Sequence, residues 1–170
     1  MKSSYSAVGE TELHHAAYHG HVHEIINRLH RGESVYDRDH QGRTVLSWAI
    51  RGRQQRVVRF LSAYYDRENA HLITFEDALD ALRVGSKSMI ESLVRMGFRI
   101  NQARDEYGNT LLHWATFYNQ PHTIMFLINR CGAKCRVHNK KHQTPYDIAI
   151  LNQHYHLTFL FRTHIRRKSF

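Results

Sequence analysis

The segment Gly108-Asn-Thr-Leu-Leu-His-Trp-Ala115 decides the fold, because close copies of it recur along the chain. The copies are Gly9-Glu-Thr-Glu-Leu-His-His-Ala-Ala17, Gly42-Arg-Thr-Val-Leu-Ser-Trp-Ala49 and Gln143-Thr-Pro-Tyr-Asp-Ile-Ala149. Their threonines are Thr11, Thr44, Thr110 and Thr144, separated by 33, 66 and 34 residues. A period of about 33 residues indicates a repeat protein, in which each unit buries its apolar side against the next one.

Each position of the segment has a physical role. The glycine allows the positive φ of a tight turn, and the threonine caps the helix that follows. A proline, present as Pro145, suits the first helical position. A second apolar helix follows, ended by glycines such as Gly32, Gly97 and Gly132. The leucine-type position is predicted to enter the core, as Leu13, Leu46, Leu112 and Tyr146.

This pattern resembles the ankyrin repeat, whose signature is G-x-T-P-L-H-x-A-A followed by G-H. The first copy continues to Gly20-His21, and the resemblance covers about residues 9–165. It implies an all-α ankyrin-repeat solenoid of about five helix–turn–helix repeats with short β-hairpin loops. The repeats are predicted at about 9–38, 39–71, 72–104, 105–137 and 138–170, within a single ankyrin-repeat domain of residues 1–170.

The third and fifth repeats depart from the pattern. In the third, the expected turn and threonine are missing from residues 66–77, and the alignment resumes over 78–97 with a shift of one residue. We therefore predict a degenerate repeat whose hairpin is shortened or replaced. In the fifth, the apolar stretch 155–161 precedes Arg166-Arg-Lys168, a charged tail that is predicted to shield the end of the array.

Composition limits the function classes. The net charge is +9 with histidines neutral, which favours an acidic partner, although scattered basic residues are typical of any solvated surface. No stretch approaches the roughly 20 apolar residues of a membrane span, and the stretch 1–8 is too short and polar for a secretory leader. Two cysteines give no disulfide framework. We expect a cytoplasmic protein.

Two groups of residues resemble metal sites. Five histidines lie within residues 14–23, and Cys131, Cys135, His138 and His142 give a C-x3-C-x2-H-x3-H spacing. The resemblance, however, places His14 and His21 at structural positions of the repeat. We predict neither a metal nor any other cofactor. Because no nucleophile-elbow, phosphate-loop or kinase motif occurs, we also predict that the chain is not an enzyme.

The resemblance implies that a partner docks on the concave face, formed by the hairpin tips and the exposed side of each first helix. The candidate partner-binding residues are Tyr18, His19, His40, Gln41, Arg43, Arg51, Arg83, Glu106, Tyr107, Asn109, Phe117, Tyr118, Lys140, Lys141 and Leu151. Aromatic residues and arginine are enriched at interface hot spots. Phe117 and Tyr118 are equally compatible with packing against the next hairpin. Trp48 and Trp114 are predicted to be core residues.

The sequence therefore predicts a monomeric protein-interaction module whose partner is a protein with an acidic surface. Two alternatives stay open: binding of nucleic acid or another acidic surface through the basic face, and a scaffold subunit of a larger assembly. The substituted signature positions and the many histidines, tyrosines and asparagines are similar to the ankyrin proteins that intracellular bacteria inject into host cells. That likeness implies an effector that acts on a host protein in the host cytosol.

Overall fold

The computed structural model describes residues 10–65 and 68–167, with side chains as far as Arg162. Within those residues ten α-helices follow one another in pairs, so the all-α prediction is confirmed. The helices are α1 Glu12–His19, α2 Val22–His30, α3 Val45–Arg51, α4 Gln55–Leu61, α5 Phe75–Arg83, α6 Lys87–Arg95, α7 Leu111–Phe117, α8 Pro121–Asn129, α9 Pro145–Leu151 and α10 Tyr155–Arg167. The stretch 1–8 and the side chains of the basic tail lie outside the described residues.

The first helix of every pair begins at a reciprocal cap. The threonine side chain faces the backbone amide three residues later, and the side chain at that later position accepts the threonine amide. Such caps contribute about 1 kcal/mol each. The five pairs are Thr11–His14, Thr44–Ser47, Thr74–Asp77, Thr110–His113 and Thr144–Asp147.

The third repeat corrects one prediction. Its threonine is present as Thr74, which caps α5 through Asp77. Sequence periodicity misses it because α5 has nine residues whereas α3 and α7 have seven, and the repeat is itself shifted by one residue. Together these differences place the cap three positions before the expected one. A short 3-10 helix, Asn69–Leu72, stands where the hairpin was expected, which agrees with a degenerate repeat.

The turn inside each helix pair passes through one residue with left-handed φ. These residues are Gly20, Arg53, Gly85, Asn119 and Gln153, and they provide a register for comparing repeats. The loops between pairs are tight turns. Within the described residues, their antiparallel pairing is limited to a single bridge between Arg38 and Thr44. The loops before α3, α7 and α9 are closed mainly by side-chain hydrogen bonds to their own amides.

The chain folds as two compact units. Unit 1 comprises the described residues within 1–73 and 88–97; unit 2 comprises those within 74–87 and 98–170. In unit 1, α1 packs against α2 and α3, and α4 packs against α2 and α3. In unit 2, α7 packs against α5, α8 and α9, and α10 packs against α8 and α9.

The leucine-type positions Leu13, Leu46 and Leu112 are buried as predicted. Tyr146 is an exception to that prediction: it is only half-buried, since its hydroxyl reaches the surface and accepts a hydrogen bond from Arg162 at 3.2 Å. None of the helices in the part of the chain that the structure describes combines the length and the apolar character that a membrane crossing requires.

Candidate functional site

The loops before α3, α7 and α9 are each organised by one side chain that accepts two backbone amides. Asp39 Oδ1 accepts the amides of Gln41 and Arg43 at 2.8 and 2.9 Å. Asn139 Oδ1 accepts those of Lys141 and Gln143, both at 2.9 Å. Asp105 does the same for Tyr107 and Asn109. The loop tips that carry Gln41, Tyr107 and Lys141 are therefore held rigidly in matching geometry.

Two of these carboxylates also accept an indole N–H. Trp48 Nε1 donates to Asp39 Oδ2 at 2.9 Å, and Trp114 Nε1 donates to Asp105 Oδ2 at 2.8 Å. Both tryptophans are half-buried, so their prediction as core residues is wrong. The physical reason is that an indole N–H needs an acceptor, and the loop carboxylate provides it at the edge of the helix rather than in the core.

Asp39 stays ionised in this loop. Burial of its side chain opposes the charge, but hydrogen bonds from the Arg43 backbone and guanidinium, from Trp48 and from the Gln41 amide outweigh burial and lower the pKa of Asp39 to about 2. Arg43 Nε lies 2.7 Å from Asp39 Oδ2, and its guanidinium carbon lies 5.0 Å from the centre of the Trp48 ring.

A groove opens in unit 2 between the repeat of α7 and the repeat of α9. Its volume is about 200 Å³. The lining residues are Tyr107, Asn109, His113, Trp114 and Phe117 from the first repeat and Asn139, Lys141, Gln143 and Ile148 from the second. The rings of Trp114 and Phe117 meet edge to face with centres 5.5 Å apart. Tyr107 is 57% exposed and Phe117 is 48% exposed, so aromatic surface faces solvent around the groove.

His113 joins the two repeats beneath this groove. Its Nδ1 accepts the Thr110 amide at 3.1 Å, and its Nε2 donates to the Gln143 carbonyl at 3.0 Å. Burial lowers the pKa of His113, so the ring is neutral at pH 7. His14 has the same role in unit 1, with its Nε2 donating to the Asp37 carbonyl, and burial lowers its pKa too.

Unit 1 contains the equivalent site. Trp48, Trp114, Ile148 and His15 each lie five residues before the left-handed residue of their helix pair. Trp48 thus takes the place of Ile148, and His15 that of Trp114. The ring centres of His15 and Tyr18 lie 5.3 and 6.0 Å from that of Trp48. With Arg43 over the indole, Trp48 contacts side chains of its own repeat and of the preceding one, and Tyr18 stays 42% exposed.

Four of the predicted binding residues meet in the unit 2 groove: Tyr107, Asn109, Phe117 and Lys141. Tyr118 lies outside the groove lining, where its hydroxyl accepts from Arg83 Nε at 3.4 Å. Arg83 also pairs with Glu76 and Asp80. Three further predicted residues of unit 2 are exposed but do not line the groove, namely Glu106, Lys140 and Leu151.

The remaining predicted residues belong to unit 1. Tyr18 and Arg43 contact Trp48, and His19 lies edge-on to Tyr18 with ring centres 5.2 Å apart. The others are exposed, namely His40, Gln41 and Arg51.

Five residues of the groove were absent from the predicted site: His113, Trp114, Asn139, Gln143 and Ile148. A signal for Trp114 was available in the sequence, because an aspartate precedes each tryptophan by nine residues, as Asp39–Trp48 and Asp105–Trp114. No comparable sequence signal marks Ile148. Its place in the groove becomes informative only by comparison with Trp48, the equivalent residue of unit 1.

The described residues contain no cluster of three or more His, Cys, Asp or Glu side chains that could hold a metal ion. Cys131 and Cys135 do not form a disulfide with each other.

Comparison with known proteins places this geometry in context. The family model described as "Ankyrin repeats (3 copies)" matches residues 2–71 and 79–168. An ankyrin repeat domain-containing protein, SAT10 of Stachybotrys chartarum, is 37% identical over 119 residues, which are 68% of this chain and 6% of that protein. Neurogenic locus notch homolog protein 1 of Xenopus tropicalis is 28% identical over 143 residues, which are 83% of this chain and 6% of that protein.

I-Kappa-B like protein C2 of Microplitis demolitor bracovirus is 30% identical over 94 residues, which are 54% of this chain and 49% of that protein. The chain thus spans about one-twentieth of the length of SAT10 and of the notch homologue, and about half that of the bracovirus protein.

Proposed function

The chain belongs to the ankyrin-repeat family, and we propose that it binds a partner protein through the groove of unit 2. Ankyrin repeats are generally protein-interaction modules and form a non-catalytic interaction fold. The proposal adds the location: the partner contacts Tyr107 at a loop tip, Phe117 at the end of α7 and Lys141 at the next tip.

The observation that carries the proposal is the aromatic lining of the groove. Tyr107, Trp114 and Phe117 surround one recess, and two of them are about half exposed. Aromatic side chains are enriched at the centres of protein interfaces, where each contributes a large contact area for few frozen torsions. The caps and loops described above hold these rings in place before binding, which lowers the ordering cost.

The size of the groove favours a protein partner over a small molecule. Sites for small molecules enclose about 300–1,000 Å³ and surround most of the ligand. The groove has about 200 Å³ and is open to solvent along one side, so it has room for a side chain of a larger partner.

The charge around the groove favours an acidic partner. Lys140 and Lys141 are exposed at the loop tip, and the chain carries a net charge of +9. Glu106 on the neighbouring tip is exposed, whereas Asp105 is occupied by Trp114 and by two loop amides. Complementary charge of this kind increases the association rate and selects among partners more than it raises affinity.

The test is affinity capture of proteins from a cell lysate with the wild-type chain and with F117A. Loss of the Phe117 ring is expected to weaken capture of the partner about tenfold, as for an interface hot spot. The matched control is F159A, because Phe159 is 68% exposed in the same unit and does not line the groove. It should leave capture unchanged.

Two results would contradict the proposal. One is equal capture by the wild type and F117A. The other is a melting temperature that falls sharply for F117A and not for F159A, which would make Phe117 a packing residue. Nuclease treatment of the lysate separates the nucleic-acid alternative: a protein partner is retained after it, whereas capture that depends on nucleic acid is abolished.

The finer expectations stay predictions. The three relatives named above are not bacterial proteins and lend no support to a bacterial effector. A monomeric state and a cytoplasmic location are likewise predictions, to be checked by light scattering and by localisation of the tagged protein.

A further inference from the structure

We propose that the groove of unit 2 receives an aromatic side chain of the partner with a carboxylate beside it, in the way that Trp48 packs on His15 and Tyr18 in unit 1. This inference rests on the proposed function and specifies the chemistry of the partner segment. Its basis is that an indole already lies on the first-helix rings of unit 1, whereas unit 2 has a groove at the equivalent place.

The two sites share their framework. Thr11 and His14 cap α1 as Thr110 and His113 cap α7. Tyr18 and Phe117 each lie two residues before the left-handed residue of their helix pair. On the facing loops, Asp39 and Asn139 each accept the amides two and four residues later. The side chains at the remaining positions therefore decide what each site presents to solvent.

The first helices differ by His15 in place of Trp114, and the facing repeats differ at three positions. Trp48, Arg43 and Gln41 of unit 1 correspond to Ile148, Gln143 and Lys141 of unit 2. In unit 1 the indole lies against the rings of His15 and Tyr18, and the Arg43 guanidinium covers it. In unit 2 the branched Ile148 is smaller than an indole, and Gln143 carries no charge to place over a ring. About 200 Å³ stays open beside Trp114 and Phe117.

A ring is the occupant that this lining suits. The edge-to-face pair of Trp114 and Phe117 offers both a ring face and a ring edge, which are the surfaces that aromatic side chains prefer as neighbours. The Trp48 N–H is accepted by Asp39, but Asn139 stands in that place in unit 2, and its Oδ1 already accepts two amides. The groove therefore does not require an N–H on its occupant, and Phe, Tyr and Trp all fit.

The flanking carboxylate follows from charge. Lys141 replaces Gln41 on the loop tip beside the groove, and Lys140 replaces His40. Lys140, Lys141 and Glu106 are exposed charged groups of the two loop tips, and Asp105 is bonded to Trp114. Arg104 and His138 are further basic groups that act on the neutral His113. Two lysines outweigh one exposed glutamate, so a negative group on the partner is favoured next to its anchor ring.

The experiment is selection of a phage-displayed random-peptide library on three folded baits: the wild type, I148W and K141E. I148W installs the residue that unit 1 already uses and should fill the groove. K141E reverses the charge at the tip and leaves the recess intact. Circular dichroism and melting temperature establish that each bait is folded, and F117A replaces I148W if the latter does not fold.

Wild-type selection should enrich peptides with one Trp, Tyr or Phe next to Asp or Glu. Retention of those peptides should fall at least about tenfold on I148W, as for the loss of a hot-spot contact. Selection on K141E should replace the acidic neighbour with Lys or Arg. That charge swap is a result that a merely structural role of Lys141 would not produce.

Two other outcomes distinguish the inference from the proposed function. Peptides that are lost on I148W but share no ring and carboxylate would overturn the inference alone. Identical results on the wild type and I148W, including no enrichment on either, would show that the groove is not a binding site, and the proposed function would fall with the inference.

Discussion

Trp48 in unit 1 and Ile148 in unit 2 occupy equivalent positions in the first helix of their repeats, yet their surroundings differ. The indole of Trp48 is bonded to Asp39, covered by Arg43 and flanked by His15 and Tyr18. Ile148 borders an open groove lined by Trp114, Phe117 and Tyr107. Asp39 and Asn139 organise the facing loops in the same way and the helix caps match, so a repeat keeps its fold with either residue at this position.

The contrast also separates the stabilising residues from the exposed ones. In unit 1 the aromatic and charged side chains satisfy one another. In unit 2 Tyr107 and Phe117 are 57% and 48% exposed, against 42% for Tyr18 in unit 1, so more apolar surface is left for a bound partner to cover. Unit 1 is thus expected to depend on its site for stability, whereas unit 2 is expected to use its site for binding.

The largest expected effect comes from removing the Asp39 carboxylate, which accepts the Trp48 N–H in unit 1. D39A should lower the free energy of unfolding of unit 1 by about 3 kcal/mol, because the side chain is fully buried and accepts from Arg43, Trp48 and two amides. The matched change N139A in unit 2 should cost about 1 kcal/mol, since its bonds are between neutral groups.

Urea denaturation measures both losses. The chain has two tryptophans, one in each site, so Trp48 fluorescence in a W114F background follows unit 1 and Trp114 fluorescence in a W48F background follows unit 2. Equal losses for D39A and N139A would mean that the charge of Asp39 adds nothing beyond its loop bonds.

A smaller effect is expected from exchanging the equivalent residues Trp48 and Ile148. W48I should destabilise unit 1 by about 2 kcal/mol through lost ring contacts and the lost bond to Asp39. I148W should leave unit 2 as stable as before or up to about 1 kcal/mol more stable, because its indole covers surface that is now exposed. Melting curves of the two variants provide the measurement, and a destabilised I148W would show that the groove is too narrow for an indole.

The smallest effect is a pH dependence that the two units share. Burial lowers the pKa of His14 and His113 below 6.5, so the unfolded chain takes up protons first when the pH falls. Their contribution to stability is complete above about pH 6.5 and is lost progressively below it. Unfolding measured between about pH 7.5 and pH 5 should show this slope.

The control for this slope is taken from the chain. Ser47 forms the same cap on Thr44 without a group that titrates in this range. H14S and H113S should therefore flatten the profile, each in its own unit. An unchanged slope in the double variant would assign the pH dependence to other histidines.

Much of the fold could be predicted from the sequence because repeat structure is encoded locally. Thr11, Thr44, Thr110 and Thr144 were identified as caps, and Leu13, Leu46 and Leu112 as core positions, since capping and helical periodicity depend on residues close in the chain. Thr74 was missed because the longer α5 moved it out of register. Tyr146 was assigned to the core from position alone, and its hydroxyl keeps it at the surface.

The candidate site was predicted in part. Tyr107, Asn109, Phe117 and Lys141 were chosen by their positions in the repeat, and they line one groove. Tyr118 was chosen by the same rule but lies beside Arg83. Whether an exposed aromatic residue faces a recess or a neighbouring side chain depends on contacts between repeats, which the sequence pattern does not contain.

By itself the sequence determined the repeat, its helix pairs and four of its five caps, because these follow from residue types at short and regular spacing. Only the tertiary structure decided that Trp48 packs on the rings of the preceding repeat whereas Ile148 borders an open groove. That outcome depends on side-chain volumes meeting across repeats, Trp48 against His15 and Ile148 against Trp114, at sequence separations of about 33 residues.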